Sequence, residues 1–210
     1  MKAGHETKPE KETGRLEAFS DGVFAVAITL LALELKVPHF ESGNGEATAQ
    51  KLSAALLAQW PSYLAFATSF FTVLVMWVHH HVIFKLVRGT SAALLFANGF
   101  LLMIITVVPF TTSVIAEYWR TSAAPVASTF YAGTFVVISI AFYLTLLAAF
   151  RPGTIDPNAS PVTVKRLRRD YRFGPPLYLA AAIAAPFSPL LSMGICTALW
   201  IFWAVTTRDC

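Results

Sequence analysis

Long apolar runs recur along almost the whole chain after position 15, and they restrict the possible folds more than any other feature. A helix needs about 20 residues to cross the hydrocarbon core of a bilayer, and several runs reach that length. Hydrophobic residues make up 56% of the 210 residues and charged residues only 13%. This is more apolar surface than one soluble core of this size can bury. The sequence therefore predicts an all-α integral membrane protein.

The apolar runs divide into spans that are separated by short polar loops. We expect four long helices near residues 16–36, 54–78, 91–115 and 126–150. The range 171–206 is also apolar, but Pro186 and Pro189 interrupt it, so we predict a tight helical hairpin and six transmembrane helices in total. A single kinked or re-entrant segment there is the alternative. The predicted organisation is a polar N-terminus at 1–14, a six-helix domain at 15–207 and a C-terminal end at 208–210.

Basic residues distribute unevenly between the two sides of the predicted bundle. When alternate loops are assigned to alternate sides, thirteen Lys and Arg residues fall on one side and three, Lys36, Lys51 and Arg120, on the other. The positive-inside rule makes the first side cytoplasmic, with both termini there. Because the basic residues lie in short loops between apolar runs, the net charge of +4 does not indicate nucleic-acid binding.

The first span is unusual because it holds ionisable residues at membrane depth, where charge is costly. On a helical wheel one face of the span is largely apolar. It comprises Arg15, Phe19, Gly22, Val26, Thr29, Leu30 and Leu33. Glu17 and Asp21 lie roughly opposite. Lipid contact or ordinary packing is the structural explanation for the apolar face. Asp21 is interpreted as a buried, hydrogen-bonded residue that fixes helix packing.

The second span ends in a pattern of Trp77, His80, His81 and Phe84, which share one helix face and can meet one neighbouring helix together. We expect His80 to bind a buried polar group, with His79 and His81 at the cytoplasmic interface. In the third span the amide of Asn98 also needs a partner. We therefore predict hydrogen bonds from Asp21 to the region of His80 and Asn98, with Trp77 as a further donor.

Several functional classes find no support in the sequence. A metal or haem enzyme would need separated His boxes, but only His5 and His39 lie outside the run of three, so no metal or cofactor is expected. No Thr-Val-Gly-Tyr-Gly-like filter and no regular Arg or Lys series in the fourth span occur, which excludes a voltage-gated potassium channel of the usual type. Soluble-type catalytic motifs are also missing, so we do not expect an enzyme.

Residues 15–21 read Arg-Leu-Glu-Ala-Phe-Ser-Asp, and an Arg-x-x-x-Phe-Ser-Asp motif on the first helix resembles the bacterial branch of the potassium channel family called transmembrane protein 175. The pattern Trp77-x-x-His80-His81-x-x-Phe84, Asn98 and the segment 108–110 are similar to that family as well. The resemblance covers roughly the first half of the chain.

The resemblance implies a homotetramer of six-helix subunits in the plasma membrane of a prokaryote, with a central pore lined by the first helix. Potassium ions would pass, and other monovalent cations more weakly. The implied constriction is Val26, Leu30 and Leu33, with Thr29 and Glu34 as polar pore residues; Val26 replaces the isoleucine common in the family and would widen the ring. The implied motif and helix-packing network comprises Arg15, Phe19, Ser20, Asp21, Trp77, His80 and Asn98.

Two other functions stay open at the level of the sequence. A proton channel or proton-coupled transporter would use Asp21 and His80 as relay groups. A non-conducting structural membrane protein would carry no flux at all. Reversal potentials and flux from purified protein in liposomes distinguish the three hypotheses.

Overall fold

Helices account for the whole regular structure of the described residues, which are 8–40 and 48–206 of the computed structural model, with side chains from 12 onwards. The predicted all-α fold is therefore confirmed for this part of the chain, while residues 1–7 and 208–210 of the predicted terminal segments lie outside it. The helices are α1 Lys8–Leu31, α2 Ala49–Ala58, α3 Trp60–Phe84, α4 Ala92–Ile105, α5 Val108–Tyr118, α6 Ala124–Ala149, α7 Pro161–Tyr171, α8 Gly174–Ala184 and α9 Pro189–Thr206.

Five helical stretches of the described residues are long and apolar enough to cross a membrane: Glu12–Glu34, Trp60–Phe84, Ala92–Tyr118, Ala124–Ala149 and Pro189–Thr206. The sixth predicted span corresponds to α8, which has 11 residues. At 1.5 Å per residue such a helix is about 16 Å long, whereas the hydrocarbon core is about 30 Å thick. Length and composition therefore support five spans, with α8 a shorter apolar helix.

Three boundaries differ from the predicted ones. The helix α1 begins at Lys8, so residues 8–14 are helical and continuous with the helix of the first span. The predicted start of the second span falls in α2, and the span itself is α3, whose first turn carries Pro61. The third span breaks between α4 and α5, because Pro109 lacks the N–H that a continuous helix would use and sits instead in the first turn of a new helix.

Contacts between helix ends define two ends of the bundle. At one end Lys36 pairs with Glu117, and the rings of Trp60 and Trp119 pack edge to face at 6.1 Å. The hydrogen bond to Glu117 raises the pKa of Lys36 above its ordinary value. At the other end Thr90 donates to Glu12 on α1 at 3.1 Å. We call the second the basic end, because it carries α7 and most of the Lys and Arg residues, and the first the opposite end.

The loops after α3 and after α6 pair with each other at the basic end through residues 86–89 and 154–156, and we call this pairing the loop clamp. The backbone N–H groups of Arg88 and Gly89 donate to the carbonyl of Thr154 at 2.9 and 3.0 Å. The Arg88 side chain lies 3.0 Å from the carboxylate of Asp156. A Cβ at Gly89 would lie only 2.4 Å from the carbonyl oxygen of Gly153, so the approach requires glycine.

The helix α6 lies at the centre of the bundle and packs against α4, α5, α8 and α9, whereas α1 packs on α3, α4 and α5 at the periphery. A buried hydroxyl cluster joins three helices, because Ser69 lies 2.7 Å from the Thr112 hydroxyl and 2.9 Å from that of Tyr131. These bonds replace water, which the membrane interior lacks. The arrangement leaves α1 with one side of its surface uncovered by its own subunit.

The predicted helical hairpin is present as α8 and α9, which pack against each other. The chain turns at residues 185–188, next to both prolines that predicted the break. Near the end of α9 the carbonyl of Trp203 lies 3.1 Å from Nε2 of His79. Because His79 is close to the end of α3 at the basic end, α9 returns there, and the described chain begins and ends at the same end of the bundle.

Candidate functional site

The helix α1 has two faces of opposite character. All seven residues of the predicted shared face are exposed in the subunit, among them Val26, which is 55% exposed, and Leu33, which is 74% exposed. On the other face Phe24, Ala27 and Leu31 are almost completely buried. Burial ends sharply between the faces, so one half of the helix is packed in the bundle and the other half has no partner in its own subunit.

Three side chains from three helices form a directional chain of hydrogen bonds on the packed side of α1. Nε2 of His80 on α3 lies 2.8 Å from Oδ1 of Asn98 on α4, and Nδ2 of Asn98 donates to the Ser20 hydroxyl at 2.9 Å. Ser20 donates in turn to the Leu16 carbonyl at 2.8 Å. All three side chains are fully buried. Since an amide oxygen only accepts, His80 must carry its proton on Nε2.

A second set of polar contacts joins α1 to α3 at the rim of this network. The indole N–H of Trp77 donates to Oδ1 of Asp21 at 2.8 Å, as predicted. One turn away, Oε1 of Glu17 lies 2.7 Å from Nδ1 of His81. The Trp77 ring stacks on the His81 ring with an angle of 18° between planes. The two residues on α1 are four positions apart, and so are the two residues on α3. The helices are therefore joined by two polar contacts, one turn apart.

The structure corrects two expectations about these residues. The residue of α1 that accepts the hydrogen bond from Asn98 is Ser20 and not Asp21, because Ser20 lies on the fully buried side of α1. We expected the helix face of Trp77, His80, His81 and Phe84 to meet one neighbouring helix, but it forms polar contacts with two. Trp77 and His81 contact α1, and His80 contacts α4.

His79 is buried inside the subunit. It is 7% exposed, and its Nδ1 lies 2.6 Å from the Tyr171 hydroxyl. The three consecutive histidines therefore point toward three different neighbours, Tyr171, Asn98 and Glu17. Within the described ranges, no group of three or more His, Cys, Asp or Glu side chains is arranged to hold a metal ion.

The two polar positions attributed to the pore lie in different surroundings. Thr29 is exposed beside Val26, to whose carbonyl its hydroxyl donates at 2.9 Å. The donated proton leaves the lone pairs of the hydroxyl oxygen available to a cation. Glu34 is half-buried in the 3₁₀ turn Ala32–Glu34 after α1, and its charge acts on nearby Lys36. Thr29 thus belongs to the exposed face, whereas Glu34 lies at its edge.

Sequence reasoning missed the pairing of Glu17 with His81 and that of His79 with Tyr171. The first had a signal, because Glu17 and Asp21 are spaced by four residues in the same way as Trp77 and His81. The second had none, since Tyr171 lies 92 positions from His79 and in a polar segment.

Comparisons with known proteins point to one family. The sequence pattern of the family described as endosomal/lysosomal potassium channel TMEM175 matches residues 15–109. A potassium channel of Chamaesiphon minutus is 47% identical over 97% of this chain and 98% of its own length. A potassium channel of Streptomyces collinus is 40% identical, with 85% of each chain covered.

A solved structure agrees with the sequence relatives. The crystal structure of a lysosomal potassium-selective channel TMEM175 homolog from Chamaesiphon minutus superposes with a TM-score of 0.84 and 46% identity. The superposition covers 94% of this chain and 98% of the Chamaesiphon minutus chain. The human endosomal/lysosomal proton channel TMEM175 is 38% identical over 52% of this chain, which corresponds to 21% of the human protein.

Proposed function

The chain belongs to the TMEM175 family of ion channels, and from this premise we propose that it is a potassium-permeable cation channel that conducts passively through a pore lined by α1. The observation that carries the proposal is the exposed face of α1, where every residue from Arg15 to Leu33 on one stripe lacks a partner in its own subunit. Four such stripes around a symmetry axis enclose a path through the membrane. The assembly is a homotetramer of six-helix subunits, in which α8 and α9 supply the last two helices.

The narrowest part of the pore is formed by rings of Val26, Leu30 and Leu33. These residues recur at i, i+4 and i+7, so they reach the axis at successive heights. A cation that passes through a ring of aliphatic side chains loses hydration water and gains no ligand. The ring is therefore an energy barrier to ion passage, although no side chain blocks the pore. Potassium, which holds water less tightly than sodium, is favoured, and other monovalent cations pass more weakly.

Thr29 and Glu34 supply the polar part of the path. Thr29 hydroxyl oxygens beside the constriction ligate a partly dehydrated cation, since their protons are donated to the helix backbone. Glu34 carries negative charge near the end of α1 and raises the local concentration of cations before entry. Only Thr29 needs direct contact with the ion.

The packed face of α1 keeps the exposed face in register. Ser20 and Asp21 bind two different helices, α4 and α3, through Asn98 and Trp77. Arg15 and Phe19, on the exposed side of the same motif, are then available to neighbouring subunits. The motif therefore positions the pore helix and does not itself select ions.

A proton channel or proton-coupled transporter is the second candidate, and the name of the human relative is the observation in its favour. The geometry of His80 argues against it. Nδ1 of His80 has no hydrogen-bond partner among the described residues, and the ring packs between Phe24 and Phe84 at 5.4 and 4.2 Å. A second proton on His80 would put a buried N–H against aromatic rings, which is costly. Asp21 bonds to Trp77 and offers His80 no direct path.

We propose that the protein lies in the plasma membrane of a prokaryote, with both termini in the cytoplasm. The basic end then faces the cytoplasm, as the charge distribution requires. Ions enter from outside at the end that carries Glu34.

Flux through the purified full-length chain in liposomes tests this proposal. With opposed potassium and proton gradients, the reversal potential should follow potassium. Leu30→Asn and Leu33→Asn should each raise the potassium flux and reduce the discrimination against sodium, because an amide wets the constriction. The matched control is Leu179→Asn on the outer side of α8, where an exposed leucine is replaced without contact with α1. A reversal potential that follows protons, or equal effects of all three variants, would remove α1 from the pore.

A further inference from the structure

The helix α7 presents a basic stripe that the channel mechanism does not use. Lys165, Arg169 and Arg172 are spaced at i, i+4 and i+7, and all three are exposed. Leu167 and Tyr171 on the other side of the helix are 2% and 8% exposed and pack into the bundle. The helix is therefore strongly amphipathic, with its buried side apolar and its outer side cationic.

Charge around α7 is concentrated and mostly of one sign. Residues 151–173 contain six Lys or Arg and two Asp, a net charge of +4, which equals that of the whole chain. Asp170 lies 3.0 Å from Arg169 and 3.7 Å from Arg166. Asp156 pairs with Arg88 in the loop clamp. Asp170 therefore offsets part of the charge of the stripe at Arg169, whereas Asp156 is engaged outside the stripe. Since the region holds six cations and two acids, it keeps a net positive charge.

The helix holds this stripe in a fixed position. The Arg168 guanidinium donates to the Phe150 carbonyl at the end of α6 at 2.8 Å. The Tyr171 hydroxyl lies 2.6 Å from Nδ1 of His79 on α3. A cationic face that is anchored in this way loses less side-chain and backbone freedom on binding than a flexible basic tail.

The stripe also adjoins an apolar helix. The apolar helix α8 begins at Gly174, two residues after Arg172. Beside the stripe, Val162 is 77% exposed and Phe173 is 48% exposed, although both are apolar. Apolar side chains next to a basic helix face are typical of helices that lie at a bilayer surface, with the apolar groups at the acyl boundary and the cations among the head groups.

We propose that the stripe of Lys165, Arg169 and Arg172 binds the phosphate head groups of anionic lipids in the leaflet at the basic end. Val162 and Phe173 insert beside it at the acyl boundary. The occupant is a lipid rather than a soluble phosphate compound, because the cations adjoin the apolar helix α8 and exposed apolar side chains. Anionic lipids thereby fix α7 against the bundle, and α7 is tied to α3 through Tyr171 and His79.

The experiment compares the full-length protein in detergent with added phosphatidylglycerol and with added phosphatidylcholine. Lipid retained per subunit is counted by native mass spectrometry, and the melting temperature is measured with each lipid. The test variant is Lys165→Gln/Arg169→Gln/Arg172→Gln. The matched control, Lys36→Gln/Lys51→Gln/Arg120→Gln, removes the same charge at the opposite end. Inorganic phosphate at the same concentration provides the arm for a soluble ligand.

The native protein and the opposite-end control should retain phosphatidylglycerol in preference to phosphatidylcholine and melt at a higher temperature with it. Each cation near an anionic surface contributes about 1 kcal/mol, so the α7 variant, which lacks three, should lose roughly 100-fold in anionic lipid retention. Its melting temperature with phosphatidylcholine serves as the folding check, with the single variant Lys165→Gln as the milder version. Equal retention of the two lipids, equal loss in both triple variants, or the same stabilisation by inorganic phosphate would overturn the proposal.

Discussion

Asn98 is the residue at which α1, α3 and α4 meet. Its amide oxygen accepts from His80 and its amide nitrogen donates to Ser20, so both halves of the side chain are used. No other side chain type of this size offers a donor and an acceptor at once in a plane. Replacing it by an apolar residue strands a donor on His80 and removes the donor to Ser20.

Asn98→Leu should lower the free energy of unfolding in detergent by about 1 to 2 kcal/mol, since interhelical hydrogen bonds in membranes reach about that value and buried groups are left unpaired. Thr145→Val is the matched control, because Thr145 is also fully buried but its hydroxyl bonds only to its own helix, at the Ala141 carbonyl. Thermal unfolding of the purified protein gives both values. An equal loss in the two variants would contradict the interhelical role of Asn98.

The bond between Trp77 and Asp21 can be isolated by a double-mutant cycle of Trp77→Phe and Asp21→Ala, because alanine removes the acceptor, whereas asparagine would keep one. Each single change should destabilise the protein, and their coupling energy should be about 1 kcal/mol, the usual value for one hydrogen bond. Ion preference should not change, because Asp21 lies on the packed side of α1. Additive effects in the cycle, or a changed potassium over sodium ratio in Asp21→Ala with normal folding, would contradict the assignment.

At the scale of elements, α1 shows how much the sequence could predict. The wheel separated the exposed face from the packed face correctly, because 3.6-residue periodicity fixes which side chains share a face. It could not decide whether Ser20 or Asp21 reaches Asn98, since the two are adjacent and the answer depends on the crossing of α1 and α4. The break between α4 and α5 was missed because the apolar run continues through it, although Pro109 carried a signal.

The loop clamp is an element whose integrity depends on one glycine. Gly89→Ala should destabilise the protein by about 1 to 3 kcal/mol, because the new Cβ would collide with backbone that cannot move without breaking the bonds to Thr154. Gly133→Ala in α6 is the control, where a Cβ would meet nothing within 4 Å. That change should be neutral or stabilise by up to about 1 kcal/mol. Melting temperatures in detergent that rank the two variants in the other order would contradict the clamp.

For the whole molecule, charge distribution and packing agree on which helix ends lie together. The contacts of Arg88 with Asp156 and of Thr90 with Glu12 gather the loops that the basic residues assigned to one side. Hydropathy located the first four long spans and the apolar hairpin, but it did not show that α9 is long enough to cross a membrane while α8 is not, because the sequence places the division of residues 171–206 only near Pro186 and Pro189. Orientation in a membrane follows from charge and not from contacts.

Cysteine labelling in intact cells tests the orientation and α8 together. In a Cys210→Ser background the remaining Cys196 is 1% exposed and should not react. Lys51→Cys should react with a membrane-impermeant reagent added outside, and Arg151→Cys only after permeabilisation. Phe187→Cys, at the exposed turn between α8 and α9, should react from outside if these helices complete six spans. Labelling of position 151 from outside would reverse the topology, and an unreactive position 187 would make the hairpin re-entrant.

The loop clamp also sets an order of assembly. Pairing of residues 86–89 with 154–156 encloses α4, α5 and α6 in one closed loop of the chain. The ribosome delivers α3 long before residue 154, so the end of α3 cannot be secured until α6 has inserted and returned to the basic end. Closing so long a loop in a flexible chain would cost much conformational entropy. Insertion of the intervening helices lowers this cost, because it has already restricted the chain between the two loops. A chain whose synthesis stops before residue 154 therefore contains the pore helix and its motif. It lacks the pairing with residues 154–156 that fixes the end of α3.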